Sequence, residues 1–131
     1  PGLLSCLMDG GYVPVVAPVA EGPDGRPLNI NADYAAGAIA GALQAGYFVL
    51  MSDVPGVLDK NHVLLPRLTR KDIEALKADG TISGGMIPKV DACLSALDHG
   101  CRRSLILNGS EPSALRRYLT GGEALGTVIE D

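Results

Sequence analysis

The chain has 131 residues, of which 47% are apolar and 20% charged, with a formal net charge of −4. Those values fit one ordinary globular domain with its own core. No Lys/Arg run exceeds a pair, as in Arg102-Arg103 and Arg116-Arg117, so the basic stripe that nucleic-acid binding needs is missing. No signal peptide and no bilayer-spanning apolar stretch is visible, which argues against a membrane partner.

With one Phe and no Trp, the core must come from Leu, Val, Ile and Ala. Cys6, Cys93 and Cys101 match no zinc spacing. Cys93 lies in an apolar helical run and reads as a small packed side chain. This cysteine usage points to a reducing, cytoplasmic setting. The chain opens at Pro1-Gly2-Leu3-Leu4 without a Met, as a fragment would.

Val13 to Ala20 is apolar and β-rich, predicting a buried strand. Glu21-Gly22-Pro23-Asp24-Gly25 is a turn cluster. Ala32 to Ala45 predicts a helix with Ala36, Ile39, Ala40 and Leu43 on one face, closed by Gly46. Tyr47 to Met51 predicts a second buried strand. The long stretch Asp53 to Pro66 is either functional or an irregular hairpin.

Thr69 is placed to cap a helix over Arg70 to Ala78. Ser83-Gly84-Gly85 precedes a helix from Met86 to His99. Arg103 to Leu107 predicts a third strand. Ser113 is placed to cap a short helix through Leu119, and Gly126 to Ile129 predicts a last strand. Alternating strands and helices favour an α/β fold with a mostly parallel sheet sandwiched between helices.

Ligands of open parallel sheets bind beyond the carboxyl ends of the strands. Three polar clusters fall at such places: Asn29/Asn31/Asp33, Ser52/Asp53 and Asn108/Gly109. The first spaces three polar side chains two apart, which puts them on one face of an extended stretch. Such a set reads a polar substrate, although Asn and Asp are also common helix caps. Ser52-Asp53-Val54-Pro55-Gly56 ends a strand, where a carboxylate can accept from a ribose hydroxyl. Asp-x-Pro-Gly is equally an ordinary turn.

Gly84-Gly85-Met86-Ile87-Pro88-Lys89 opens a helix. Free N–H groups and the positive dipole end suit phosphate there, and the two glycines allow close backbone approach. Lys89 in the first turn opposes the dipole, a poor choice for stability alone. The other reading is a flexible loop with a solvated Lys. His62 and His99 are isolated. No Ser/His/Asp or metal-binding set assembles, and neither a Walker A sequence nor GxGxxG is present.

Taken in order, GYVPVVAPVA (Gly11–Ala20), NINADYAAGAIAGAL (Asn29–Leu43), LMSDVPGVL (Leu50–Leu58), SGGMIPKVDACLSAL (Ser83–Leu97), LNGSEPSAL (Leu107–Leu115) and GTVI (Gly126–Ile129) resemble the amino-acid kinase family, and within it the acetylglutamate kinases. Asn-x-Asn-Ala-Asp together with Gly-Gly-Met-x-x-Lys is a specific combination. The resemblance implies the carbamate kinase-like fold, in its nucleotide-binding C-terminal portion over residues 1–131, with the N-terminal substrate-binding half absent. It implies ATP-dependent phosphorylation of the side-chain carboxylate of N-acetyl-L-glutamate, in arginine biosynthesis.

Asn29 and Asn31 then contact the acetylglutamate. Asp33 organises the catalytic lysines, and Lys89 stabilises the transferring phosphoryl group. Ser52, Asp53, Gly56 and Leu58, with Gly85 and Met86, match the adenosine and phosphate pocket. The implied cofactors are ATP and Mg2+, the metal held mainly by the nucleotide phosphates. Homo-oligomers would form through the missing half; a PII-type regulator is not indicated.

Two further readings stay open: a kinase for a carrier-linked amino-acid carboxylate in lysine biosynthesis and, for the isolated chain, a non-catalytic ATP-binding module. The family's second catalytic lysine and its arginine for the substrate carboxylate belong to the missing half. Arginine-inhibited members carry a His after the Pro of the segment matching Gly109–Leu115 and a Glu a few residues on. Here those positions are Ser113 and Tyr118, with Glu111 and Glu123 as nearby acidic substitutes.

Overall fold

The computed structural model describes residues 1–131. In chain order it contains α1 (Gly2–Asp9), β1 (Val19–Glu21), β2 (Pro27–Asn29), α2 (Ala32–Ala42), β3 (Phe48–Ser52), β4 (Arg67–Leu68), α3 (Arg70–Ala78), α4 (Met86–Asp98), β5 (Ser104–Asn108), α5 (Ala114–Gly121) and β6 (Thr127–Ile129). No helix is long and apolar enough to cross a membrane. The central sheet has the order β3-β5-β6-β4. β3 runs parallel to β5 and β4 parallel to β6, while β5 and β6 are antiparallel. Parallel neighbours thus predominate, as the alternating pattern predicts. β1 and β2 form a separate antiparallel hairpin.

β5 is the buried centre, and its alternation separates two cores. Ile106 joins Phe48, Leu50 and the α4 residues Val90, Cys93 and Leu97 on one face. Leu105 and Leu107 meet Ala114 of α5 on the other. Fully burying side chains such as Ile73, Ile82 and Ile106 is worth roughly 1.5–3 kcal/mol each. Ser104 faces α4 and is fully buried; its hydroxyl donates to the Cys93 carbonyl at 3.0 Å. Cys93 is a packed side chain, as expected, and burial pushes its thiol up to about 12.

α2 and α4 run side by side in the same direction. Asp33 lies against Lys89, Gly37 against Ala92, and Gly41 against Ala96 and His99. A Cβ on Gly37 would stand 2.8 Å from the Ala92 carbonyl oxygen, and one on Gly41 2.4 Å from His99 Cβ. The buried face of α2 is therefore Gly37, Ala40 and Gly41. This corrects the expected face, since Ala36 is exposed and Ile39 and Leu43 only half-buried. Apolar periodicity located the larger residues, but backbone approach required the smallest.

Other expectations also change. The run from Val13 is not a buried strand: only its end enters β1, whose three residues are exposed, and Val13 and Val15 are 87% and 94% exposed. Its end pairs only with the exposed β2, and Val16 and Pro18 border an open groove beside α2 and β3 rather than a closed core. α2 ends at Ala42 rather than Ala45. The left-handed residue after it is Gln44 (φ 49), not Gly46, with Ala45 N–H donating to Ala40 C=O in a Schellman pattern.

Ser113 precedes α5 but makes no side-chain cap bond and has φ 62. Thr69 does cap α3, in a full capping box with Asp72. The segment after Asp53 is an irregular hairpin bridged at Leu58 and Leu64. Asp59 accepts from the Asn61 and Val63 N–H groups at 2.8 Å each to form its tip. No element is predicted from the sequence over α1 or the two-residue β4, although Leu3, Leu4, Leu7 and Met8 recur at helical spacing within α1.

Gly37→Ala should lower stability by roughly 1–3 kcal/mol, the usual cost of overpacking, because backbone rather than a side-chain tip blocks the added methyl. Urea unfolding should show a reduced midpoint at unchanged slope. An unchanged midpoint would mean the helices are free to separate.

Candidate functional site

The direction of α2 and α4 sets where chemistry collects. At the far end, Arg102 N–H, just before β5, donates to the Ala45 carbonyl after α2. The start of β5 thus lies beside the end of α2. The amino ends of α2 and α4 consequently face the same way as the carboxyl ends of β3 and β5. There Ser52 is the register partner of Asn108, and Gly109 N–H donates to Ser52 C=O at 2.7 Å.

Asn31 caps α2, its Oδ1 accepting from the N–H groups of Asp33 at 3.0 Å and Tyr34 at 3.2 Å. Helix begins at Ala32, so the extended spacing does not reach Asp33. Its carboxylate instead turns toward α4, where Lys89 Nζ donates to Asp33 Oδ2 at 3.1 Å. Both side chains are about three-quarters buried (27% and 22% exposed). The two residues are 56 positions apart, and the contact fixes a single lysine ammonium at two helix amino ends.

The start of α4 has no side-chain cap. Nothing lies within 4 Å of where a Cβ on Gly84 or Gly85 would stand. Pro88 in the first turn lacks an N–H where none is needed. The Met86 and Ile87 N–H groups already donate to the Ser83 and Gly84 carbonyls, at 3.1 and 3.2 Å, so the open Gly84-Gly85 backbone followed by a held lysine is the part that suits phosphate oxygens. No group of three or more His, Cys, Asp or Glu is positioned to hold a metal ion.

One turn before Lys89, Met86 lines an open cleft of about 180 Å³ with Val54, Gly56, Val57, Leu58 and Thr81. This brings together Gly56, Leu58 and Met86 of the expected pocket. Gly56 is buried and has φ 149; a Cβ there would stand 2.6 Å from Thr127 Oγ1 and 2.8 Å from Leu64 Cδ1. No other residue fits. The wall at Thr81 is fixed by Asp79, which accepts from the Thr81 hydroxyl and N–H and pairs with Lys60 at 3.0 Å. The Thr81 hydroxyl, its N–H and the Lys60 ammonium hold the Asp79 carboxyl down to about 2.

The remaining expected residues stand outside that cleft. Asn29 ends β2, exposed and without a side-chain bond within the chain. Asp53 is exposed beyond β3 and accepts from the Ser52 hydroxyl at 3.1 Å. Gly85 stands at the helix start rather than in the cleft wall. Asn108 closes a local turn, its Oδ1 accepting from Ser110 N–H. Sequence reasoning missed Val54, Thr81 and above all Thr127. A Thr in a short apolar strand reads only as a strand former, and nothing local announced its partners.

Around α5, Arg117 is clamped between Glu111 and Glu123. Both carboxylates that stood as acidic substitutes are thus already engaged, and they raise the Arg117 guanidinium further. Tyr118 packs edge-on against Tyr47, ring centroids 6.4 Å apart.

The sequence matches the profile of the Amino acid kinase family over residues 2–108. The chain is 52% identical over 129 residues to the acetylglutamate kinase of Sphingopyxis alaskensis, covering 98% of this chain and 43% of that protein. It is 49% identical to that of Granulibacter bethesdensis, covering 97% and 43%. The chain thus spans under half the length of these curated relatives.

Among solved structures, the carbamate kinase of Giardia lamblia bound to citric acid superposes with a TM-score of 0.76 at 25% identity, over 99% of this chain and 43% of that one. The N-acetylglutamate synthase of Neisseria gonorrhoeae complexed with coenzyme A and L-arginine superposes at 0.91, with 23% identity, over 98% of this chain and 30% of that one; at that identity the likeness speaks for the fold alone. A profile spanning most of the sequence, relatives half identical to it and a solved kinase that superposes on it lead to one assignment: this chain belongs to the amino acid kinase family.

Proposed function

We propose that the chain is the nucleotide-binding C-terminal part of a cytoplasmic enzyme that transfers the γ-phosphoryl group of ATP to the side-chain carboxylate of N-acetyl-L-glutamate, giving N-acetylglutamyl phosphate for arginine biosynthesis. The Lys89–Asp33 pair at two converging helix amino ends carries this reading, and the acetylglutamate kinase relatives support the choice of acceptor. In the step, a carboxylate oxygen forms a bond to the γ-phosphorus in line as the bond to the β,γ-bridging oxygen breaks, and ADP leaves with that electron pair. Little covalent help is needed, so positioning and charge neutralisation do the work.

Lys89 neutralises charge on the transferring group, and Asp33 holds Lys89 in place. The open backbone at Gly84 and Gly85 receives phosphate oxygens, and the cleft at Gly56, Leu58 and Met86 receives the adenosine, with Ser52 and Asp53 at its approach. Asn29 and Asn31 face the acetylglutamate. Magnesium, held mainly by the phosphates, supplies further charge neutralisation. The fraction of the relatives covered favours a second reading for the isolated chain, as an ATP-binding module without turnover.

The test is hydroxylamine trapping of acyl phosphate from the complete protein, with free N-acetylglutamate set against a carrier-linked carboxylate. Product from the free acceptor is expected; product from the carrier-linked one alone overturns the assignment. In the complete protein, Lys89→Ala should lower turnover by roughly 10²–10³-fold, the cost of about 3–4 kcal/mol for one preorganised charge contact. A loss under tenfold removes Lys89 from catalysis.

Asp33→Asn should keep the fold, because the amide preserves size and hydrogen-bonding capacity while removing the charge that orients Lys89, yet slow the reaction markedly. Full activity per folded molecule with a much lower melting temperature would make Asp33 a structural residue instead. Arginine should inhibit weakly or not at all, because Tyr118 offers no carboxylate and Arg117 occupies both Glu111 and Glu123. Titration at saturating ATP with half-inhibition at micromolar arginine would refute this.

A further inference from the structure

We infer that Thr127, in the last strand and outside the cleft, is a positioning residue that sets the shape of the nucleotide cleft through both arms of the hairpin between β3 and β4. The inference rests on the reading of that cleft as the adenosine site. Thr127 is fully buried. Its hydroxyl accepts from Val57 N–H at 2.8 Å and donates to Leu65 C=O at 2.7 Å. The same two residues are joined to each other, Leu65 N–H donating to Val57 C=O at 2.8 Å. A single hydroxyl, using its donor and an acceptor lone pair, therefore ties the outgoing and returning arms to β6.

Val57 and its neighbours Gly56 and Leu58 line the cleft. The glycine at position 56 is what lets the hydroxyl approach, since any Cβ would collide with Thr127 Oγ1. β6 is itself held by β5 and β4, so Thr127 transmits the position of the sheet to a segment that has only one bridge of its own, Leu58 to Leu64. Removing the hydroxyl leaves a buried N–H and a carbonyl without their partner, and those groups will seek water or one another. The arms then shift at the adenosine wall while Lys89 and Asp33, held on α2 and α4, stay in place.

The experiment compares Thr127→Val, which keeps the shape and removes the hydroxyl, with Thr127→Ser, which keeps the hydroxyl, in the complete protein. Kinetics are measured with ATP and acceptor varied separately, together with displacement of a fluorescent ATP analogue. Thr127→Val is expected to raise the KM for ATP roughly tenfold, the scale of lost buried hydrogen bonds, with the KM for the acceptor unchanged. Thr127→Ser should stay within about twofold of the parent, because its hydroxyl preserves both bonds.

An unaltered KM for ATP in Thr127→Val overturns the inference, as does an equal rise in both KM values or failure of the serine variant to rescue. Should the valine variant not fold, Thr127→Ala, which leaves room for a bridging water, is measured in its place against the same outcomes. If the parent protein itself fails to bind the ATP analogue, the reading of the cleft fails, which is distinct from parent and variant binding it equally well.

Discussion

The close contact between α2 and α4 is the constraint on which the rest of the site depends. Gly37 and Gly41 let the two backbones approach until a single methyl would collide. At that separation the first turns lie level, and Asp33 reaches Lys89. Larger residues at the two glycines would separate the axes and move Lys89 away from Asp33. The contact thus couples packing to chemistry. The same residues that bury the helix face fix the place of the ammonium group relative to the open amino end of α4.

A second constraint comes from the end of the chain. β6 inserts between β5 and β4, and from there Thr127 reaches the hairpin that walls the cleft. The middle of the sequence therefore takes its shape from residues some 60–70 positions later. Lys60 adds a tie from the hairpin to Asp79, and Asp79 orders Thr81 on the opposite wall. An otherwise long loop is held at its two arms and at its tip, which is how a segment without regular structure can line a site.

The other flank of the molecule is less covered. β3 is an edge strand. Beside it, Val16, Pro18, Ala36 and Val49 line an apolar groove of about 390 Å³. Val13 and Val15 stand almost fully in solvent. The chain also spans only 43% of the length of relatives such as the Sphingopyxis alaskensis kinase.

Local rules made much of the fold legible. Thr69 marks the start of α3, Gly84-Gly85 opens a helix, and β-rich runs at Tyr47 to Met51 and Arg103 to Leu107 fall within one residue of β3 and β5, because caps, turns and periodicity act over a few residues. Lys89 was also visible singly, as a charge poorly explained by helix stability, and Asp33 as one of a polar cluster that could equally cap a helix. Their pairing, the packed face of α2, the exposure of the Val13 run and the hub at Thr127 were decided by the tertiary structure. Each depends on which residues meet across 40 or more positions, or on which apolar surface the chain leaves uncovered. Composition and spacing carry no record of either; only the packed backbone does.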